Sequence, residues 1–212
     1  MKCSIFVLCF LLAAVNSASA LKCFQCTSTS RDCKQMEEVC ESGQDTCKTQ
    51  SIITLLGGNQ ELQNLKSCGI CIENFSCNFG VLIDHKCSSC SSDLCNNQPF
   101  SEIPTHNGRE CFGCFNVSSE TCASNPSIVK CFGSQDRCIK GSIPQEQFGS
   151  LTTIKGCVSK NMCRSGIESD LLSLKGFTHN CCEGNLCNKG STIPGSWISR
   201  SLLAVVVIGT LL

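Results

Sequence analysis

Twenty-three of the 212 residues are cysteine, and pairs of the form Cys-x2-Cys stand at 23/26, 68/71, 87/90 and 111/114. In a reducing compartment such pairs read as zinc ligands. In an oxidising one the same residues close into disulfide bridges. A third use, the nucleophilic thiolate, needs a neighbouring cation or base. Cys77 has no Lys, Arg or His within five residues, and the three histidines, His85, His106 and His179, are scattered with no nucleophile beside them. The sequence therefore signals no nucleophile-plus-base pair. No catalytic residue, metal or cofactor is expected, and the protein reads as a non-enzyme.

The two ends point to the compartment. Lys2 precedes an apolar run from Ile5 to Val15, and Ala18-Ser19-Ala20 supplies small residues at the cleavage positions. This order is expected of a signal peptide over 1–20, too short to be a membrane anchor. Its removal takes Cys3 and Cys9 and delivers the other cysteines to an oxidising lumen, which turns the reading to bridges. At the other end, Leu202 to Leu212 is apolar, Ser191 to Ser201 is a polar spacer, and Asn188 to Thr192 is rich in small residues. Eleven residues span about 16 Å as a helix, half of a bilayer core. That order is expected of a glycosylphosphatidylinositol (GPI) attachment signal over 190–212, removed in the mature chain. Gly190, followed by Ser191 and Thr192, is the expected attachment residue, with Asn188 second. An apolar tail on a secreted protein is the alternative.

Between the ends the cysteines form a ladder that repeats. Cys23-x2-Cys26 opens a series at 33, 40, 47, 68, 71, 87 and 90 that closes at Cys95-Asn96. Cys111-x2-Cys114 opens a second at 122, 131, 138, 157, 163, 181 and 182 that closes at Cys187-Asn188. Both end in Cys-x4-Cys-Asn. The step from fourth to fifth cysteine is the same in each, and so is the step from seventh to ninth. A long period carried by the framework residues means a duplicated module. Module one occupies 21–97, a cysteine-free stretch with Pro99 and Pro104 over 98–108 reads as a linker, and module two occupies 109–189.

Each module is too small to rely on a hydrophobic core alone. There is no tyrosine, and the one tryptophan, Trp197, lies outside both. At roughly 2–4 kcal/mol per native disulfide, the bridges outweigh a small domain's net stability. Formal charge is zero, with no basic run, so nucleic acid is not an expected partner. Apolar and Thr-rich runs alternate with Gly, Asn and Ser clusters, as short strands and loops do. Ser51–Leu56, Gly57-Gly58-Asn59 and Leu62–Lys66 read as a hairpin, and Asn78–Ile83 as a further strand. In module two, Cys138–Lys140 and Thr152–Lys155 read as the arms of the middle hairpin, and Gly166–Phe177 as the third loop. The class is all-β.

The doubled ladder, the Leu21-Lys22-Cys23-Phe24-Gln25-Cys26 opening and the two Cys-x4-Cys-Asn endings resemble the Ly-6/urokinase-receptor (LU, three-finger) domain family. The resemblance covers essentially all of 21–188 and implies two small disulfide-rich three-finger domains. It implies, for module two, bridges Cys111–Cys138, Cys114–Cys122, Cys131–Cys157, Cys163–Cys181 and Cys182–Cys187. For module one it implies Cys23–Cys47, Cys26–Cys33, Cys40–Cys68 and Cys90–Cys95. Asn96 and Asn188 match the family's closing Asn, whose side chain ties the C-terminal end to the core. Module one departs where the family, like Cys181-Cys182 here, has adjacent cysteines: it has Ser89-Cys90, with Cys87 two residues earlier and an extra Cys77. Residues 87 and 89 share a strand face, so Cys87 can stand in. The register favours Cys71–Cys87 and leaves Cys77 odd, and Cys77–Cys87 with Cys71 free is the competing pairing.

Asn74-Phe75-Ser76 and Asn116-Val117-Ser118 are glycosylation sequons, whereas Asn125-Pro126-Ser127 is not. Function is expected from the fingers, with Ile52, Ile53, Leu55 and Leu56 as the candidate ligand contact and Leu171, Leu172, Leu174 and Phe177 as a similar strip. Packing of these strips between the modules is the competing role. The resemblance implies a GPI-anchored, glycosylated binding or adhesion receptor on the outer face of the cell membrane, with an extracellular protein ligand. A secreted two-domain inhibitor, similar to the phospholipase inhibitors of snake serum, is the alternative.

Overall fold

The structure, a computed structural model, describes residues 20–118, 121–122, 127–144, 151–164 and 177–189. The chain divides at Thr105–His106 into two compact units. Each is built of antiparallel strands around a cluster of bridged sulfurs.

In the first unit, β1 (Lys22–Ser28) and β2 (Met36–Val39) precede the long hairpin of β3 (Cys47–Leu56) and β4 (Asn59–Cys68). A second hairpin, β5 (Phe75–Asn78) and β6 (Leu82–Cys90), follows, then a short 3-10 turn at Cys95–Asn97. The order across the sheet is β2-β1-β4-β3-β6-β5. β1 serves two partners, pairing β2 along Lys22–Gln25 and β4 along Cys26–Ser28. β3 pairs β4 in unbroken register from Cys47↔Cys68 to Leu56↔Asn59. Only Gly57 and Gly58 remain for the turn, at φ +57° and +88°. A type I′ two-residue turn needs positive φ at both central positions, which glycine adopts without strain.

Asn78–Ile83 is not one strand. It is the turn of the β5–β6 hairpin, with Gly80 at φ +109° and its N–H donated to Asn78 Oδ1 at 2.9 Å. The apolar run hides an Asx-type turn, in which a short polar side chain replaces the backbone partner. Nor is the stretch after Asn97 free of the first unit. Phe100 lies over Lys66, its ring centre 5.3 Å from Nζ, and Ser101 N–H donates to Ser51 Oγ at 3.1 Å.

The second unit repeats the plan with β7 (His106–Ser118), β8 (Ser127–Phe132), β9 (Arg137–Pro144), β10 (Leu151–Val158) and β11 (Thr178–Cys182). β7 pairs β8 in its first half and β10 in its second, as β1 does with β2 and β4. β9 lies between β10 and β11. Most of the expected third loop, 166–176, lies outside the described residues.

The hub of each unit is a cluster of sulfurs, beside which Ile53 and Leu82 in the first unit and Ile139, Ile154, Val158 and Met162 in the second are also buried. In the first unit Cys23, Cys40 and Cys47 are buried, with Leu21, Cys68, Cys90 and Cys95 packed against them. In the second, Cys111, Cys131, Cys138 and Cys157 are buried under Val129 and Cys182. The bridges of the first unit are 23–47, 26–33, 40–68, 71–87 and 90–95. Those of the second are 111–138, 114–122, 131–157, 163–181 and 182–187. Among the described residues Cys77 alone is unbridged. The β5–β6 register places it opposite Ile83, four residues short of Cys87. That is roughly 13 Å along the strand, far beyond disulfide reach.

The two closures match atom for atom. Asn96 Oδ1 accepts the Phe24 N–H at 2.9 Å, and its Nδ2 donates to the carbonyls of Phe24 and Lys48. Asn188 does the same with Phe112 N–H, Phe112 O and Ile139 O. Replacing Asn96 by Ala strands three backbone groups. With disulfides intact, urea unfolding of the Asn96→Ala variant is expected to show a loss of roughly 2–4 kcal/mol. An unchanged midpoint would show that the Asn is dispensable.

Candidate binding surface

A strand flanked on both sides turns alternate residues to opposite faces. Along β3 burial alternates from Cys47 to Ile53. Ile53 is fully buried, Ile52 and Leu55 are half-buried, and Leu56 is 56% exposed beside the Gly57-Gly58 turn. The four-residue strip is therefore not one surface. Ile53 belongs to the interior, and Leu56 is the member free to meet a ligand.

The apolar exposure lies elsewhere. Ile70 and Ile72, 79% and 53% exposed, flank Cys71 in a short loop pinned by its bridge to Cys87. Sequence reasoning missed them because isoleucine beside a cysteine reads as core. The usable signal was the loop's brevity, since six residues between bridges at Cys68 and Cys71 and strand β5 leave no interior for two branched side chains. Met36 and Val39 on β2 are exposed as well, and in the second unit so are Phe115 and Ile128. Leu171, Leu172 and Leu174 lie outside the described residues. Phe177 is not a free strip residue: its ring stacks on His179 at 5.4 Å and occupies the space where a Cβ on Gly141 would sit.

The face of β3 that carries Ile53 is polar for an interior. Thr49, Ser51, Asn64, Lys66 and Asp84 are all buried on it. Thr49 Oγ1 donates to Asn96 O at 3.2 Å, and Asn64 Nδ2 to Ser30 O at 2.8 Å. Burial lowers the Lys66 ammonium below the usual lysine range. Its counterpart two residues before the corresponding cysteine, Lys155, is buried too and lowered by burial and then by Lys140. Lys155 Nζ approaches Lys189 O at 3.5 Å.

On the other face, His85 is buried and stacks on Phe75 at 5.1 Å. Burial is the main cause that holds its imidazole below the ordinary value. Cys77 is fully buried, and burial pushes its thiol up to about 12, which removes thiolate at neutral pH. The sulfurs of the Cys-x2-Cys pairs are consumed in bridges to other partners, so those pairs form no thiolate ligand sets. Of the sequon residues, Asn74 is exposed and its Oδ1, not the nitrogen that would bear a sugar, accepts the Cys87 N–H at 2.6 Å. The Asn116 side chain lies outside the described set. Asn188 is buried, and Gly190 lies outside the described residues.

The sequence pattern of the u-PAR/Ly-6 domain matches residues 19–98 and 107–190. Phospholipase A2 inhibitor NAI of Notechis ater is 25% identical over 173 residues, 76% of this chain and 84% of that protein. Ly6/PLAUR domain-containing protein 3 of Rattus norvegicus is 27% identical over 206 residues, 84% of this chain. This chain spans 57% of that rat protein's length. The crystal structure of mouse TEX101 aligns over 78% of this chain and 99% of its own at 14% identity, with a TM-score of 0.30.

Two expectations follow from the β5–β6 hairpin. Without reductant, Cys77 is expected to resist alkylation by iodoacetamide in the native protein and to take one label in urea. Peptide mapping of the label to Cys71 would contradict the pairing. The buried neutral His85 binds fewer protons than in the unfolded chain, so its contribution to stability is complete above about pH 6.5 and declines as pH falls through that value. Urea midpoints compared between about pH 7.5 and about pH 5 are expected to fall less steeply for His85→Phe than for the parent. Equal slopes would remove His85 as the cause.

Proposed function

This chain belongs to the u-PAR/Ly-6 domain family, and from that membership we propose that it is a non-enzymatic extracellular binding protein, glycosylated and held on the cell surface by a GPI lipid. The observation that carries the binding role is the covalent hub. Short hairpins grow from a cluster of bridged sulfurs and hold Leu56, Ile70 and Ile72 in solvent. Side chains presented on fixed loops lose little entropy when a partner closes over them. The ligand of this reading is an extracellular protein that covers these side chains.

The anchor rests on the sequence, a small-residue run, a polar spacer and an apolar segment in the order that attachment requires. No helix among the described residues is long and apolar enough to cross a membrane. Gly190 is the attachment residue of this reading, in preference to Asn188. Linkage at Asn188 would fall on a residue 5% exposed and would remove the Lys189 carbonyl that Lys155 approaches. Glycans at Asn74 and Asn116 complete the reading, and the Oδ1 bond of Asn74 is compatible with a sugar on its nitrogen.

A secreted inhibitor is the second reading. It is favoured by the shared extent with the Notechis ater inhibitor, which this chain covers over 84% of its length. Its ligand would be a phospholipase A2.

The chain with a tag after Ala20, expressed in animal cells, separates the two. Phosphatidylinositol-specific phospholipase C is expected to release the tagged protein from intact cells. Gly190→Trp combined with Ser191→Trp is expected to abolish surface display, since bulky residues block attachment. Protein found in the medium before treatment, with none on the surface, would exclude the anchor and leave the inhibitor.

A further inference from the structure

We propose that the second module carries, on the side of its hub where the chain enters, a site for a phosphoethanolamine headgroup of a membrane phospholipid. Arg109 takes the phosphate and Asp136 the ammonium. The lipid as source of that headgroup rests on the anchor reading above.

The site is a pocket of about 440 Å³ lined by Asn107, Gly108, Arg109, Asp136 and Asn185. Its rim is held in place by hydrogen bonds. Asn107 Nδ2 donates to the carbonyls of Gly133 and Gln135, both at 3.0 Å, and its Oδ1 accepts the Arg109 N–H at 3.0 Å. Asn185 Oδ1 accepts the Glu110 N–H at 3.3 Å. Arg137 fixes the Asp136 carboxylate by its Oδ2, at 3.0 Å, and reaches Glu183 Oε1 at 2.6 Å with its other nitrogen.

Two atoms are left over. Arg109 Nη1 and Asp136 Oδ1 are shielded from solvent and have no hydrogen-bond partner, although the Asp136 side chain as a whole is 48% exposed. Buried polar atoms are nearly always satisfied, and a donor cation and an acceptor anion left unpaired beside one pocket ask for a ligand with both complements. Inorganic phosphate would satisfy Arg109 and face the Asp136 oxygen. A metal ion would satisfy Asp136 and face the guanidinium. The charged residues that line the pocket, Arg109 and Asp136, are opposite in sign, so the pair exerts no net pull on either kind of ion. A zwitterion meets both atoms. Asp136 Oδ1 is an acceptor, so the cationic end must carry N–H donors. A primary ammonium does and a choline does not, and no aromatic ring lines the pocket to hold a quaternary ammonium by its face. Both residues line the pocket, and rotation of the Arg109 side chain, a fast local motion, is the movement the proposal requires to admit the headgroup.

The first module supplies an internal contrast. Counted from the matching cysteines, Leu21, Asp45 and Asp93 stand where the second module has Arg109, Asp136 and Asn185. The corresponding pocket there is lined by Glu41, Asp45 and Asp93 with no cationic side chain, so it lacks the guanidinium that takes the phosphate in the second module. The zwitterionic arrangement is confined to the module that leads into the proposed attachment residue. Asn185 precedes Gly190 by five residues, so the pocket lies within about 18 Å of extended chain of the proposed attachment residue.

The test uses the two-module chain 21–190, secreted without its tail and labelled for amide NMR. Glycerophosphoethanolamine is expected to shift the Asn185 side-chain amide and the Arg109 signals. Glycerophosphocholine, inorganic phosphate and ethanolamine are each expected to bind at least about tenfold more weakly. The chain is expected to float with vesicles of phosphatidylcholine plus phosphatidylethanolamine and not with phosphatidylcholine alone. Arg109→Gln and Asp136→Asn are each expected to weaken both responses at least about tenfold without loss of the folded spectrum. Equal binding of the choline and ethanolamine compounds in the parent chain would overturn the proposal, whatever the variants do. So would phosphate binding as tightly as the whole headgroup, the absence of any shift, or vesicle binding indifferent to Arg109→Gln. A headgroup bound in solution without flotation would keep the chemistry and overturn the membrane as its source. Failure of the anchor shows separately, as protein that phospholipase C does not release, because chain 21–190 carries no lipid in either case.

Discussion

With cores made largely of sulfur, each module depends on how its last loop returns to its first strand. Leu94 N–H donates to Lys22 O at 2.7 Å, and Leu186 N–H to Glu110 O at 2.8 Å. Both leucines adopt left-handed backbone, at φ 53° and 54°, a conformation that costs a side-chain-bearing residue about 1–2 kcal/mol. The strain persists because the surroundings over-determine it. The Cys-x4-Cys disulfide loop, a backbone hydrogen bond and the following Asn each fix the same few atoms. The same arrangement in both halves shows that this closure was duplicated together with the cysteines.

Once the first strand is bound to the end of the module, everything else can be extension. β1 and β7 split their pairing between a short outer strand and the long central hairpin, so one strand joins two parts of the sheet. The hairpins need little apolar filling of their own. This is why the face around Ile53 tolerates Thr49, Ser51, Asn64 and Lys66, each a poor core residue in a domain held by packing alone. A lysine interior to a sheet would ordinarily demand a carboxylate. Lys66 has the ring of Phe100 instead, which draws the stretch after Asn97 onto the first unit.

The same construction shapes what the protein can do. Bridged sulfur offers neither a nucleophile nor a metal ligand, and Cys77, the one unbridged thiol among the described residues, is buried and held protonated. Chemistry is left to surfaces. The finger side presents isolated apolar residues on pinned loops, and the hub side of the second module presents a balanced pair of charges. Both are suited to recognition.

The duplication, the all-β class and the family were legible in the sequence because cysteine order is a covalent pattern that survives change in every loop. The turn at Gly57-Gly58 was legible for a similar reason, since a run that needs positive φ announces itself. What sequence could not supply was anything decided by register. Whether Cys71 or Cys77 meets Cys87 depends on Cys77 lying opposite Ile83. Whether Ile53 or Leu56 meets solvent depends on which face of β3 is covered. The Asn78–Ile83 run read as a strand because its apolar residues outweigh one Asx turn on any local scale. Arg109, Asp136 and Asn185 stand far apart in the chain and became neighbours only through the closure of the hub. The sequence by itself determined which bonds could hold the modules. Only the tertiary structure decided which side chains those bonds leave facing water, because in a strand a shift of one residue exchanges the two faces.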